Sequence, residues 1–258
     1  MKHLIRNLAS KAGYDISSHA YSRYVEPEVF EAAVSVVSSA TMLPRNRLVS
    51  LYDQVVYCES VGLPGSLVEC GVWKGGAVGL MAIALKHAGA MHRQLHLFDS
   101  FQDICEPDPI LDGQKAIIEV GYSPQLTKDV IKPVKGFYDS LGGHGTLADC
   151  KSLIEKQIGY PESKIYYHVG WFQDTLPQAQ QIGPIALLRL DGDWYASTKV
   201  CLDYLYDSVV PGGFIILDDY GTYDGCRKAV DEFLISRNVK VFLNRVDNGC
   251  FYFVKPKY

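Results

Sequence analysis

The sequence lacks a long uncharged hydrophobic run, a basic cluster and any pair of cysteines at C-x-x-C spacing. A membrane-spanning helix needs about 20 consecutive apolar residues, and no stretch approaches that length. Residues 1–13 contain Lys and Arg but no continuous apolar segment, which argues against a secretory signal peptide. We therefore expect a cytoplasmic protein without a membrane partner.

The absence of a basic run also limits the choice of ligand. The formal net charge is −4, so nucleic acid is not expected as a general partner. The seven cysteines are scattered, mostly in apolar segments, which indicates reduced and mostly buried thiols. With no internal repeat or low-complexity tract, the 258 residues fit one α/β domain with extensions that binds a small molecule.

Acidic residues follow two consecutive apolar runs. Asp191 and Asp193 come after residues 185–190, and Asp218 and Asp219 come after the next run. Parallel strands end at one edge of a sheet, so these side chains should converge there. Like charges this close need a cation, and carboxylate oxygens suit Mg²⁺, Mn²⁺ or Ca²⁺ better than zinc. One such acid alone would more simply be a turn or cap residue, but two pairs favour a metal site.

A glycine-rich turn lies upstream of these acids. Glu69 ends an apolar strand, and Gly71, Gly75 and Gly76 lead into an apolar helix over residues 77–87. Glycine lets the backbone approach a ligand closely. The dinucleotide fingerprint G-x-G-x-x-G is missing, and the carboxylate at the strand end suits a cationic ligand rather than a pyrophosphate.

A second strand ends in an acid about thirty residues later. Leu95, Leu97 and Phe98 give residues 94–98 a strand-like apolar pattern, and Asp99 follows them. An acid at this position accepts the two hydroxyls of a ribose in nucleotide-binding α/β domains. Glycine turn, second-strand acid and metal acids in this order predict a site for S-adenosylmethionine.

The remaining elements complete an α/β fold. They predict five parallel strands plus a terminal antiparallel hairpin, which is the class I S-adenosylmethionine-dependent methyltransferase (Rossmann-like) sheet, preceded by an N-terminal helical lid. The expected helices are one near Pro27 and three over residues 47–61, 147–158 and 225–236, with Thr146 as the cap of the second of these three. The expected strands cover residues 164–169, 239–244 and 250–254. A turn at Asp247-Asn248-Gly249 joins the last two strands.

Two irregular segments flank this plan. Residues 40–44 either form a lid over a cofactor or simply connect two helices. The insertion of about residues 103–145 is rich in Pro, Gly and Asp, and we expect substrate recognition there. Trp171 and Phe172 after the third strand either flank an adenine ring or brace the loop from the core. The expected division is an extension over residues 1–62 and a methyltransferase domain over residues 63–258.

Five motifs resemble the macrocin O-methyltransferase (TylF/MycF-type) family over residues 41–254. They are Glu69-x-Gly71-Val72-Trp73-Lys74-Gly75-Gly76, Asp99-Ser100-Phe101-Gln102, Gly170-Trp171-Phe172-x-Asp174-Thr175-Leu176-Pro177, Arg189-Leu190-Asp191-Gly192-Asp193-x-Tyr195-x-Ser197-Thr198 and Pro211-Gly212-Gly213-x-Ile215-Ile216-x-Asp218-Asp219-Tyr220-Gly221. The stretch from Cys105 to Gly145 carries little of this pattern.

The resemblance implies an S-adenosylmethionine-dependent and Mg²⁺-dependent enzyme. It would methylate a hydroxyl of a small natural product, usually on a deoxysugar of a secondary metabolite such as an antibiotic. The implied metal ligands are Asp191, Asp218 and Asp219. The predicted cofactor contacts are Thr41, Met42, Glu69, Gly71, Trp73, Gly75, Asp99, Ser100, Thr146, Gly170, Trp171 and Phe172.

The acceptor hydroxyl must lose a proton, and three residues are candidates for that chemistry. Asp193, two positions after Asp191, faces the same opening, although capping the following helix is an equally weighted role. Asp191 itself and His144, in the glycine-rich insertion, are the other candidates. His168 lies within a strand and is more simply a structural residue.

Rival functions stay open on the sequence alone. A catechol or phenol O-methyltransferase would use the same metal chemistry. A non-catalytic assembly protein with this fold is disfavoured because all four acids are present, and a nicotinamide oxidoreductase is disfavoured by Glu69 and the missing fingerprint. The sequence also leaves open a homo-oligomer, dimer or higher.

Overall fold

A mixed sheet organises the computed structural model, which describes residues 22–122, 124, 131–179 and 182–257. Within these ranges the strand order is β3-β2-β1-β4-β5-β7-β6, and β1 to β5 are parallel. The strands are β1 (Ser66–Cys70), β2 (Leu95–Asp99), β3 (Ile165–Val169), β4 (Ile185–Leu190), β5 (Val209–Leu217), β6 (Asn244–Arg245) and β7 (Phe251–Val254). Both pairs made by β7 are antiparallel.

Helices cover both faces of the sheet. They are α1 (Pro27–Val37), α2 (Arg45–Ser60), α3 (Gly76–His87), α4 (Gly113–Val120), α5 (Leu147–Lys151, continued by a π-helical stretch Ser152–Gln157), α6 (Phe172–Thr175), α7 (Tyr195–Leu205) and α8 (Asp224–Ser236). Single 3₁₀ turns are Ser38–Ala40, Asp139–Leu141, Glu162–Lys164, Leu176–Gln178 and Tyr206–Ser208. None of the described helices combines the length and apolar character that a membrane crossing requires.

The core has one layer on each side of the sheet. Helices α1, α2 and α3 pack on one face, and α3 is buried throughout Gly76–Leu85 because it lies between the sheet and the other two helices. Helices α7 and α8 cover the other face. The central strands are therefore apolar on both sides, as parallel strands usually are.

Strand register brings the chemistry to one edge. Cys70 of β1 pairs with Phe98 of β2 and with Leu190 of β4, and Leu190 pairs with Leu217 of β5. The residues that follow these strands therefore emerge side by side. From β1 the chain adds β2 and β3 on one side of the sheet and then β4 and β5 on the other, so the strand order reverses between β1 and β4. Open α/β sheets bind ligands at such a point.

Most predicted elements are confirmed, and two predictions were wrong. Residues 239–243 do not form a strand: Asn238 ends α8 in the left-handed region with φ 49°, and Val239 N then donates to Leu234 O at 2.8 Å. Val239, Val241 and Leu243 pack on the core, whereas Phe242 is exposed to solvent.

The insertion is also less irregular than expected, since it contains α4. Val120 of α4 packs around Trp194, together with Tyr223. The signal-peptide prediction for residues 1–13 lies outside the described residues.

Candidate functional site

Two adjoining cavities lie at the carboxyl edge of the sheet. The larger cavity holds about 690 Å³ of empty space including its open mouth, against about 600 Å³ for the second. The second, which we call the acidic cavity, lies beside it, and five residues line both: Met42, Gly71, Trp73, Asp191 and Asp193. The acidic cavity contains five acids, here called the carboxyl cluster: Glu69, Asp191, Asp193, Asp218 and Asp219.

Three members of the cluster have the geometry of a cation site. One oxygen from each of Asp191, Asp218 and Asp219 lies within 4.8 Å of the others. Asp218 and Asp219 are buried and Asp191 is partly exposed, so the trio is open on one side. Oxygen-only ligands of this kind fit Mg²⁺.

The acids of the carboxyl cluster repel one another, and this repulsion adds to burial in raising the pKa of two of them. Burial, followed by repulsion from Asp191 and Asp218, raises the pKa of Asp193 well above its usual range. Burial and the charge of Asp193 do the same to the pKa of Asp219. A divalent cation between these groups would remove the repulsion, so the donor set fits a metal ion.

Arg189 supplies part of the counter-charge from inside the sheet. Its side chain is 3% exposed and lies on β4. Nη1 donates to Glu69 Oε1 and, at 2.8 Å, to Asp191 Oδ2, while Nη2 lies 2.7 Å from Asp218 Oδ1. One guanidinium thus contacts acids from the ends of β1, β4 and β5. The sequence analysis gave this residue no role.

Arg47 of α2 reaches the same cluster from outside the sheet. Nη1 donates to Asp218 Oδ2 at 2.5 Å, and Nε donates to Asp247 Oδ2 at 2.7 Å. Asp247 also accepts from Gly249 N and Cys250 N, which closes the hairpin turn. Arg47 therefore fastens α2 to both a candidate metal ligand and the C-terminal hairpin. No signal in the sequence indicates this contact.

Glu69 is 1% exposed and has one oxygen free for a ligand. Arg189 holds Oε1, but Oε2 accepts no hydrogen bond from any described residue. Burial raises the pKa of Glu69 to about 8, against the opposing effect of Arg189. A buried acceptor without a donor is costly, and a cationic ligand group would supply the missing partner.

Gly71 has a steric reason to be glycine. Its φ is +88°, and a Cβ there would lie 1.8 Å from the carbonyl oxygen of Asp191. Gly71 N donates to Phe98 O at 2.9 Å, and Asp191 N donates to Cys70 O at 2.8 Å. The turn after β1 therefore contacts the turn after β4. This contact fixes the position of two residues that line both cavities, Gly71 and Asp191.

Asp99 supports the glycine turn as well as lining the larger cavity. Its Oδ2 accepts from Val72 N at 2.6 Å and Trp73 N at 3.0 Å, and its Oδ1 accepts from Phe101 N at 2.6 Å. Each carboxylate oxygen has two lone pairs, so Asp99 keeps capacity for a ligand. Its structural role was not anticipated.

The other predicted cofactor residues divide into two groups. The larger cavity is lined by Met42, Gly71, Trp73, Asp99, Ser100, Trp171 and Phe172, together with His144, and the acidic cavity by Thr41 and Glu69 among others. Three predicted residues line neither: Thr146 caps α5, Gly75 precedes α3 with φ +88°, and Gly170 N donates to Asp99 O at 2.9 Å. These three residues belong to the turns and helix ends next to the cavities and do not line them.

Asp193 does not cap α7, so that alternative for it was wrong. The N-terminal amide of α7, Tyr195 N, donates instead to Asp112 Oδ1 at 2.7 Å. Asp112 belongs to the insertion, is 1% exposed and has a pKa raised by burial to about 6. Asp193 has φ +60°, uncommon outside glycine, and its N–H donates to Asp219 Oδ2 at 3.2 Å. Its carboxyl group is therefore available to the cavities.

Among the histidines, His168 is structural, as expected. Its Nε2 lies 3.1 Å from His96 Nδ1, and its ring stacks on Phe98 at 4.0 Å.

The insertion forms one wall of the larger cavity, and the residues of that wall could not be identified from the sequence. Gln102, Asp103, Ile104, Cys105 and Tyr138 line the larger cavity. Burial, and then the charges of Asp193 and Asp191, raise the pKa of Tyr138 above its usual range. Tyr138 was missed because the segment around it has no helical or strand period.

Comparison with known proteins places the site in a family context. The family model described as macrocin O-methyltransferase (TylF) matches residues 24–131 and 155–255. Demethyldecarbamoylnovobiocin O-methyltransferase of Streptomyces niveus is 30% identical over 243 residues, 93% of this chain and 85% of that protein.

A second relative and a solved structure agree with that match. The 8-demethyl-8-(2,3-dimethoxy-alpha-L-rhamnosyl)-tetracenomycin-C 4'-O-methyltransferase of Streptomyces olivaceus is 33% identical over 217 residues, covering 82% of this chain and 74% of that protein. The solved structure of the O-methyltransferase NovP is 30% identical and superposes with a TM-score of 0.69, covering 84% of this chain and 83% of that one.

Proposed function

Because the chain belongs to the macrocin O-methyltransferase family and is an S-adenosylmethionine-dependent O-methyltransferase, we propose that it methylates a sugar hydroxyl of a natural product with the help of Mg²⁺. One observation carries the metal part of this proposal: an oxygen from each of Asp191, Asp218 and Asp219 lies within 4.8 Å of the others, next to a cavity lined by Asp99 and Trp171.

The sugar acceptor is supported by the names of the relatives. One acts on demethyldecarbamoylnovobiocin, and another on the 4'-hydroxyl of a dimethoxy-rhamnosyl group of a tetracenomycin. The lining of the larger cavity includes polar side chains such as Ser197 and Tyr138 as well as Ile104, so the cavity suits a ring with several oxygens. A phenolic acceptor is the alternative outcome of the test below.

We assign the cofactor to residues that line the two adjoining cavities. S-Adenosylmethionine supplies an electrophilic methyl group when bound, and Mg²⁺ supplies positive charge that makes a neighbouring hydroxyl more acidic. Glu69 Oε2 would accept from the ammonium group of the methionine portion, and Asp99 would accept from the ribose. Trp171 and Phe172 would flank the adenine. Thr41 and Met42, from the segment before α2, would cover the cofactor.

Asp193 is our candidate for the proton acceptor. It lines both cavities, so its carboxyl group borders both the cofactor region and the acceptor region. Burial and the neighbouring acids raise the pKa of Asp193, so the ionised carboxylate, once it is held beside a cation, has a high affinity for the proton of the acceptor hydroxyl. His144, on the wall of the larger cavity, and Asp191 are the alternatives.

The experiment is methyl transfer from S-adenosylmethionine to a defined acceptor panel. 4-Nitrophenyl α-L-rhamnoside, demethyldecarbamoylnovobiocin and catechol would each be incubated with Mg²⁺ or with EDTA, and products followed by mass spectrometry. We expect a mass gain of one methyl group on a glycoside, lost with EDTA. Transfer to catechol alone would contradict the sugar assignment, and undiminished transfer in EDTA would contradict the metal.

Three further expectations stay predictions. They are the cytoplasmic location, the homo-oligomer, and the division into an extension over residues 1–62 and a domain over residues 63–258. Residues 1–21 of that extension lie outside the described residues.

A further inference from the structure

The wall of the larger cavity contains a segment that the family model does not match. Residues 132–154 lie between the two matched stretches, and Tyr138 and His144 of this segment line the cavity. The strand-end acids and the glycine turn, by contrast, lie within the matched part. The unmatched segment is therefore the part of the cavity wall that the family pattern does not specify.

Side-chain bonds to matched turns hold this segment in place. Trp73 Nε1 donates to Gly143 O at 3.1 Å, and Lys74 Nζ donates to Leu141 O at 2.8 Å. Gly136 N donates to Asp103 Oδ2 at 2.9 Å, and a Cβ on Gly145 would lie 2.6 Å from the Trp73 backbone. The segment is thus anchored on both sides of Tyr138, so the position of this residue in the cavity is well defined.

Tyr138 presents a hydrogen-bond donor that the protein itself does not use. Its ring lies 6.4 Å from that of Trp73, and its N–H donates to Asp103 Oδ1 at 3.4 Å. Its hydroxyl makes no hydrogen bond within the described residues, and Asp193 and Asp191 line the same cavity. A hydroxyl that lines the cavity and is not committed to an acceptor within the described residues can donate to an oxygen of a ligand.

We propose that Tyr138 is a specificity-determining residue whose hydroxyl donates a hydrogen bond to an acceptor oxygen adjacent to the hydroxyl that is methylated. A hydrogen bond donated to the reacting oxygen would lower its nucleophilicity toward the methyl group. The Tyr138 hydroxyl therefore donates to the neighbouring oxygen instead. The acceptor class is then a ring with oxygens on adjacent carbons. The inference rests on the proposed function.

Tyr138→Phe tests this role, because it removes the hydroxyl and keeps the ring. With 4-nitrophenyl α-L-rhamnoside we expect the acceptor KM to rise about 10-fold while kcat changes less than about 2-fold, the effect of one lost hydrogen bond. The dissociation constant of S-adenosylhomocysteine, measured by calorimetry, should not change. Tyr122→Phe is the matched control, since the Tyr122 hydroxyl donates to Glu106 on the surface, and its KM should equal that of the wild type.

Deoxy analogues identify the oxygen. Against the monodeoxy rhamnoside that lacks the partner oxygen, wild type and Tyr138→Phe should have the same KM. Against an analogue that keeps both the methylated hydroxyl and the partner oxygen, the 10-fold difference should remain. An unchanged KM for Tyr138→Phe on a glycoside that the wild type methylates overturns the role of Tyr138 alone. Failure of the wild type to methylate any glycoside overturns the proposed function and this inference with it.

Discussion

The sheet edge and the segment of residues 132–154 form two walls of one cavity, and different interactions hold them. At the sheet edge, backbone register sets the positions, since Cys70 pairs with both Phe98 and Leu190. The segment is held by single side-chain bonds, such as that from Lys74 to Leu141 O. The first wall lies within the residues that the family model matches, and the second lies outside them.

The largest effect is expected at the sheet edge. Asp191→Ala removes one of the three candidate metal ligands, and turnover should fall at least about 100-fold, beyond the loss typical of residues that only support a ligand. S-Adenosylhomocysteine binding should remain near the wild-type value by calorimetry. Asp207→Asn, an exposed acid paired with Arg237, is the control and should retain full turnover. Unchanged turnover of Asp191→Ala at limiting Mg²⁺ would remove the metal assignment.

Arg189→Gln should destabilise the protein more than any surface charge change. It leaves buried acids without their counter-ion, and loss of one partner of a buried ion pair costs about 3–5 kcal/mol. Chemical denaturation measures the loss, and Mg²⁺ should recover part of it, because a cation compensates the same acids. Arg237→Gln, which breaks an exposed pair, should cost less than about 1 kcal/mol. Equal losses for the two variants would show that the buried network is not the source of stability.

Gly71→Ala separates steric contact from backbone strain. The added Cβ would collide with the Asp191 carbonyl, so both stability and S-adenosylhomocysteine affinity should fall. Gly62→Ala is matched to it, with φ +63° and no heavy atom within 4 Å, and should cost only about 1–2 kcal/mol with no change in affinity. Similar affinity in the two variants would argue against a ligand near Gly71.

The last prediction concerns the bond between the insertion and α7, and its effect is confined to the change of stability with pH. The pKa of Asp112 is raised to about 6, so the folded state binds its proton more tightly than the unfolded state. This contribution is therefore fully present below pH ~4 and is lost as the pH rises through 6. The free energy of unfolding of the wild type, relative to Asp112→Asn, should fall by up to about 3 kcal/mol between pH 4 and 7. A difference independent of pH would contradict the buried state of this carboxyl group.

The features that could be predicted from the sequence are those that depend on hydrophobic periodicity and on turn and cap residues. Apolar runs followed by acids located β4, β5 and the cluster at their ends, and the turn residues located the terminal hairpin. Thr146 was correctly expected to cap a helix. These features are local, or follow from the rule that parallel strands end at one edge.

What the sequence did not predict depends on contacts between distant residues. Arg189 lies in a strand where an apolar residue was expected, and its partners are known only once the register of β1, β4 and β5 is fixed. Arg47 reaches an acid 171 positions away. Asp112 caps a helix that begins 83 positions later. Such contacts leave no pattern in the neighbouring residues.

The most direct test is calorimetric titration of Mg²⁺ into the protein saturated with S-adenosylhomocysteine. The account predicts one bound cation per chain in the wild type and none in Asp191→Ala, with S-adenosylhomocysteine bound by both. Wild-type protein that binds S-adenosylhomocysteine but takes up no Mg²⁺, or an Asp191→Ala variant that takes it up equally well, would contradict the account.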